Sequence, residues 1–306
     1  MSLSTHKLWP VWREPAQQML RAMLGEVEGL AITGGESSVR FSPAGIDRGR
    51  WLVGFSPAGV SPQRLMGLPQ RLGMPADGAA QFLQHGPCAR QIYLSVEQAA
   101  TQVVAKVYWE HALPGAVVFQ LSPEQRQVAL HIASCKWCID APNPVGRPTE
   151  YWRMSGLSGA GMVDLLRQGQ DLDPQLHTLY AAAANVLDAA LQAAPLWRGH
   201  RLLLVREPGS QRHGMGLRFY GSEFRACAVL PALNPVFQAW GFNPEHMSDV
   251  ASVWTDQELG WLHAGLDANA HPYVTVYGAL NSANTRAVLM HAGQAQALAQ
   301  ASLQEN

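Results

Sequence analysis

An α+β fold is predicted, in which antiparallel strand pairs alternate with helices. Three observations carry that reading. Strand-like windows come in twos, joined by short loops, about five times along the 306 residues. Helix-periodic stretches lie between the pairs. No Gly-rich phosphate loop supports a Rossmann or P-loop domain. About ten such strands can close into a barrel with an interior chamber, since roughly eight already hold one small ligand. An open split sandwich of sheet and helices fits the same pattern.

The elements follow in order. Residues 14–30 read as a helix because Leu20, Met23, Leu24 and Val27 share one face. Strands are expected over 36–43 and 50–56, separated by Pro43-Ala-Gly-Ile-Asp47. Residues 61–85 read as helical or irregular, interrupted by Pro69 and Pro75. A second strand pair covers 90–96 and 101–110, and a third covers 116–121 and 127–135, before a Pro/Gly-rich loop at 141–149. Helices are expected at 158–168, with Ser158 as N-cap, and at the Ala/Leu-rich 174–193. A fourth pair covers 200–206 and 214–221, followed by helices near 225–240 and 256–266. The fifth pair covers 272–279 and 286–291, and an Ala/Gln-rich helix ends the chain.

Composition narrows the function classes. Apolar residues make up 47%, ample for a full core in one large domain or two smaller ones. Net charge is −1 and charged residues are only 15%, so no basic face points to a nucleic-acid partner. Four cysteines are too few for a disulfide scaffold of this length. The N-terminus lacks a basic-then-apolar signal pattern, and no window of about 18 apolar residues predicts a membrane span. A cytoplasmic protein is the expectation.

The most informative motif is a cation and an aromatic two residues apart on a strand. It occurs in Lys106-Val-Tyr108-Trp109 and again in Arg218-Phe-Tyr220. Alternation places Lys106 with Tyr108 on one face, and Arg218 with Tyr220. Cations at one level and rings at the next suit a phosphate ester attached to a reactive hydrocarbon. The cations hold the phosphates, and the rings tolerate a developing carbocation at roughly 0.5–2 kcal/mol each.

These residues resemble the aromatic prenyltransferases of the ABBA barrel fold, and among them the cyanobactin-type branch that modifies peptides. Glu36-Ser-Ser-Val-Arg40-Phe41, a turn, then Gly49-Arg50-Trp-Leu-Val-Gly-Phe55 match that branch's early glutamate and strand-borne arginine. Lys106-Val-Tyr108-Trp109 matches its Lys-Ile-Tyr-Phe strand, Arg201 to Tyr220 fits with small gaps, and Tyr273-Val-Thr275-Val-Tyr277 fits loosely. The family's aromatic-rich last strand is here Arg286-Ala-Val-Leu-Met-His291, a departure at the end of the barrel. The resemblance implies a closed antiparallel ten-stranded barrel of repeated αββα units, one domain over 1–306, with helices outside.

It also implies roles. An isoprenyl diphosphate, dimethylallyl or geranyl, would be the co-substrate. Arg50, Lys106 and Arg218 would converge to bind its diphosphate, with Arg206 and Arg40 in reserve, because fixed cations stabilise the departing charge. Tyr108, Tyr220, Tyr273 and Tyr277 would shield the cation from water. Glu36 would orient the acceptor and take its proton. There is no Asp-Asp-x-x-Asp run, so assisting Mg²⁺ would be held by the phosphates and waters, and no residue is named as a metal ligand. An aromatic side chain of a peptide is the expected acceptor, with a free small aromatic metabolite as the alternative.

Competing motifs are weaker. Cys135-Lys-Trp-Cys138 has a C-x-x-C spacing, but Cys88 and Cys227 are isolated, and a spacing of three on a strand puts the two thiols on opposite faces. The histidines lack a ligand spacing such as H-E-x-x-H, and no Gly-x-Ser-x-Gly elbow suggests a hydrolase. A non-catalytic terpenoid- or lipid-binding barrel, or a scaffold presenting a peptide to a partner, are the readings from other classes.

Overall fold

The computed structural model describes residues 12–99, 101–111, 128–168, 174–243 and 256–281, with single positions 247, 250, 254, 285 and 287. Ten strands lie in five consecutive pairs. These are β1 (Ile32–Ser42) with β2 (Gly45–Phe55), β3 (Gln91–Gln98) with β4 (Val103–Glu110), and β5 (Val128–Cys138) with β6 (Arg147–Met154). The last two are β7 (Arg201–Arg206) with β8 (His213–Arg218), and β9 (Leu259–Leu266) with β10 (Pro272–Leu280). Every strand pairs antiparallel with its sequence neighbours, and β1 pairs with β10, which closes the barrel. The closed ten-stranded alternative to the open sandwich is therefore the observed one.

Next-neighbour pairing gives the barrel two unlike ends. All five two-strand turns lie at one, here called the turn end. The longer connections lie at the other, the helix end. They include α2 (Pro62–Arg71) and α3 (Ala76–His85) between β2 and β3, α4 (Gly159–Arg167) and α5 (Pro174–Ala193) between β6 and β7, and α6 (Leu230–Ala239) between β8 and β9. Helix α1 (Glu14–Val27) precedes β1. Local chemistry sets these boundaries. Ser61 and Ser158 cap α2 and α4 by accepting from Arg64 N and Gly161 N, which bears out the Ser158 assignment. Among the described residues, no helix is long and apolar enough to cross a membrane.

The hydrophobic core lies between barrel and helices. Outward positions Trp51, Val53, Phe55, Ile92, Leu94, Val96, Val107 and Trp109 pack with Leu20, Met23 and Val27 of α1 and Phe82 of α3. On the far side Phe41, Leu217, Leu262 and Val276 pack with Leu176, Ala183 and Leu187 of α5 and Phe237 of α6. The alternate residues of the same strands point inward and are largely polar, which leaves the interior available for chemistry. Helix α3 sits so close that a Cβ on Gly78 would collide with Cys135 Sγ. Gly78→Ala is therefore expected to lower stability by about 1–3 kcal/mol by overpacking, against a helix-propensity gain of about 1 kcal/mol. A thermal melt of the variant reads the difference. An unchanged or higher melting temperature would mean that α3 can move away at no cost.

Several sequence expectations need correction. Residues 259–266 form β9 rather than part of a helix over 256–266, and β9 is the partner of β10. The expected strands at 116–121 and 286–291 and the terminal helix lie outside the described residues, apart from position 287 within the second. The third pair is instead β5 with β6, because strand character continues past the loop expected at 141–149. Strand β8 ends at Arg218, so Tyr220 is not a strand residue.

Candidate active site

Two groups of polar side chains occupy the inner face, one towards each end. At the turn end, Arg50 of β2 and Lys106 of β4 both donate to Glu97 of β3. The arginine contact is bidentate, with Nη1 to Oε2 at 2.9 Å, and Arg50 Nε reaches Ser38 Oγ at 3.3 Å. Lys136 of β5 stands directly across from Lys106 in the sheet and pairs with Glu207. Arg212, just before β8, lies 3.8 Å from the same Glu207. Arg40 of β1 pairs with Asp267 at 3.1 Å and packs on the ring of Tyr273, 4.2 Å from its centroid; Arg212 approaches that ring at 5.9 Å.

Electrostatics tie these residues into one cluster. Burial works against the Glu97 anion, but Arg50 and Lys106 outweigh it and hold the carboxyl well below the usual range. Burial alone would lower Arg50, yet Glu97 raises it above its ordinary value. Lys136 is pushed down to about 8, first by burial and then by the charge of Arg212. Five cations (Arg40, Arg50, Lys106, Lys136 and Arg212) face three carboxylates (Glu97, Glu207 and Asp267). Among the described residues, basic groups thus outnumber carboxylates by two in this cluster, and burial holds the Lys106 ammonium well below its ordinary value against the pull of Glu97. Tyr273 Oη and Arg212 Nε are buried there with no hydrogen-bond partner among the described residues. Polar atoms so placed cost stability unless a ligand satisfies them.

Next to this cluster the lining turns aromatic. Tyr108 and Tyr151 are 6.0 Å apart by centroids, Tyr151 and His263 6.1 Å, and His263 and Tyr277 5.0 Å. Trp261 stands edge-on to His263 at 5.7 Å. Burial holds Tyr108 and Tyr277 above their ordinary range and Tyr151 at about 12. Burial, with Arg212, Arg50 and Lys106 nearby, pushes His263 down to about 3. At neutral pH the belt is uncharged. Gly216 keeps the space above His263 clear, since a Cβ there would lie 2.6 Å from its Nε2.

At the helix end, Glu36 of β1 is buried and accepts from the hydroxyl of Tyr220. Burial raises its carboxyl to about 7 despite that bond and the charge of Arg218. The Arg218 guanidinium packs over the Tyr220 ring, 5.0 Å from the centroid, and donates to Gly199 O at 2.9 Å. Tyr93 donates to Glu110 at 2.8 Å nearby.

The sequence residues are thus brought together only in part. Arg50 and Lys106 converge, with the reserve Arg40 beside them. Tyr108, Tyr273 and Tyr277 line the same interior. Arg218 and Tyr220 stand at the opposite end with Glu36, because β8 runs from turn end to helix end before reaching them. Arg206 ends β7 exposed, on the strand face that carries Leu202 into the outer core, and it faces away from the cluster. Sequence reasoning missed Glu97, Lys136, Arg212, Glu207, Tyr151 and His263. The alternation Tyr93-x-Ser95-x-Glu97 was available as a signal. Lys136 was hidden between two cysteines whose spacing drew notice; Cys135 faces the outer core and Cys138 contacts Asp140 Oδ1 at 2.9 Å. Arg212 and Glu207 sit in a turn, where no periodicity marks them.

No protein-family model matches the chain, and no curated protein matches it. Among solved structures, the crystal structure of AnaPT from Neosartorya fischeri is similar at 14% identity and a TM-score of 0.47, over 80% of this chain and 77% of that one. NotF prenyltransferase is similar at 14% identity and a TM-score of 0.43, over 80% of each chain. NotF in complex with brevianamide F and DMSPP gives 14%, 0.45, and 80% of this chain against 79% of that one.

Proposed function

We propose that the protein is a prenyltransferase that moves an isoprenyl group from its diphosphate to a small, electron-rich aromatic acceptor. The observation that carries this reading is the turn-end cluster. Five inward basic groups outnumber their carboxylates by two, beside orphaned donors and an uncharged aromatic belt. An isoprenyl diphosphate complements each part. Its phosphates would take Arg50, Lys106, Lys136, Arg212 and Arg40, and its hydrocarbon would lie along Tyr108, Tyr151 and Tyr277. Mg²⁺, if used, would be carried by the phosphates and waters.

In the reaction the allylic C–O bond breaks and diphosphate departs with the electron pair. The fixed cations lower the barrier by stabilising that charge. The ring faces shelter the allylic cation until an acceptor carbon attacks and forms the new bond. The proton released by the arene passes to Glu36, whose raised pKa lies near the working pH, as a general base requires. Donor and base approach from opposite ends, so the acceptor lies between them. Enclosure of Glu36 by ten strands favours a free small aromatic over the peptide side chain expected from the sequence, and no feature of the site supports a peptide.

Mass spectrometry tests the reading. The protein, incubated with dimethylallyl or geranyl diphosphate, Mg²⁺ and a panel of indoles and phenols, is expected to yield one product gaining a single prenyl unit. Lys106→Met should lose at least about tenfold in that yield, since it removes a charge worth more than 1.4 kcal/mol to the leaving group. Saturable donor binding without any product would favour the terpenoid-binding alternative. No donor binding at all would end the proposal.

A further inference from the structure

The helix end carries a second group of cations that the transfer reaction above does not use. Arg201 of β7 lies directly across from Arg218 of β8. Arg153 of β6 lies across from Leu203, two residues along β7 from Arg201 on the same face. That face is the inner one, because Tyr151, Leu203 and Val205 pack together inside with Trp261 and Tyr108. Three arginines on three adjacent strands therefore ring one arc of the inner rim.

Like charges directly opposite in a sheet repel, and among the described residues none of these three arginines forms an ion pair. Arg218 donates to backbone carbonyls of Gly199 and Tyr220. Among the described residues, neither Arg153 nor Arg201 forms an ion pair or a hydrogen bond, and both are partly exposed. Of the carboxylates that act on them, Glu36 is bonded to Tyr220, and Glu110 is engaged by Tyr93 and stands 3.7 Å from His131. Arg201 acts on both of its neighbours. After burial, the charge of Arg201 is the chief influence lowering Arg153, and likewise Arg218.

The arc is linked to Glu36 through Arg218 and Tyr220. Arg218 stacks on Tyr220, whose hydroxyl is bonded to Glu36, so Arg201 stands one strand spacing, about 4.8 Å, beyond a residue already in contact with the base's partner. We propose that the acceptor carries a carboxylate, bound by Arg153 and Arg201 at the inner rim while its ring is presented to Glu36. This rests on the transferase reading and names the acceptor class it would use. Paired arginines suit a carboxylate because the guanidinium fork matches its two oxygens. The subsite would orient the ring, and the bound carboxylate would supply a counter-charge to the cations of β6, β7 and β8.

Calorimetric titration of the full chain, without donor or turnover, tests the subsite. The probes are indole-3-acetate against indole-3-acetamide, 4-hydroxyphenylacetate against its amide, and inorganic pyrophosphate. At least one carboxylate is expected to bind ten or more times tighter than its amide. Arg201→Gln and Arg153→Gln should each remove most of that preference and leave pyrophosphate affinity unchanged, which also shows that the variants fold. Carboxylates no tighter than amides, including no binding of any of the four, would overturn the inference, as would a preference that survives both variants. Loss of pyrophosphate binding in Arg201→Gln would overturn it too, by moving the donor to this end. Failure of the wild-type protein to bind pyrophosphate is a separate result, and it counts against the transferase reading itself.

Discussion

Glu36→Gln is expected to remove most of the turnover and at the same time make the protein harder to unfold. The carboxyl is buried and raised from 4.5 to about 7. A raised carboxyl stabilises the folded state in its protonated form. That contribution is complete below the unfolded value of 4.5 and is lost as pH climbs through about 7. Above that point the folded chain must hold an anion in a site that disfavours it, at a cost of up to about 3 kcal/mol. Glutamine keeps the neutral form and can still accept from Tyr220. The variant should therefore match the wild type near pH 4 and melt several degrees higher near pH 8. Activity should move the other way. A base must be ionised, so wild-type kcat/KM should rise with pH to a plateau above about 7, and the variant should lie some 10²–10⁴ below it with that limb absent. Melting curves and rates across this range read both effects. A variant that keeps the rate and the pH limb would remove Glu36 from the chemistry.

Glu97→Gln is the second large effect, and it separates a binding cluster from a merely structural one. Glu97 takes a bidentate contact from Arg50 and another from Lys106, all inside the barrel. Neutralising it leaves two buried cations without their carboxylate. Breaking a buried pair in this way costs about 3–5 kcal/mol, so the empty protein should melt markedly lower. If the cluster receives a diphosphate, the ligand restores the missing charge, and part of that cost returns as affinity. Pyrophosphate should then bind roughly 10–100 times tighter, or about 1.4–2.7 kcal/mol. The exposed pair Arg167–Asp188 between α4 and α5 supplies the control, since Asp188→Asn should change neither quantity by more than about 0.5 kcal/mol. A lower melting temperature with unchanged or weaker pyrophosphate binding would assign Arg50, Lys106 and Glu97 to stability alone.

Much of this was determined by the sequence. Alternation alone placed Lys106 with Tyr108 on one face, and closure of the barrel made that face the inner one. The same rule separated Cys135 from Cys138. Helices were legible wherever a cap or an apolar stripe marked them, as at Ser158 and along Leu20, Met23 and Val27. Strand β9 escaped notice because Leu259-Gly-Trp-Leu-His-Ala-Gly-Leu266 mixes small and apolar residues on both faces. Its inner set Trp261, His263 and Gly265 becomes evident only once its partners β8 and β10 are known.

Tertiary structure alone decided which charges meet. Period two states the face of a strand residue but not its height along the barrel axis. Height follows from strand direction, register and the stagger that closure imposes. Arg50 and Lys106, 56 positions apart in the numbering, come to share Glu97 because β2, β3 and β4 are aligned in that register. Arg218 carries the same motif as Lys106, yet it stands with Glu36 at the other end, because β8 delivers it to the rim where that strand finishes.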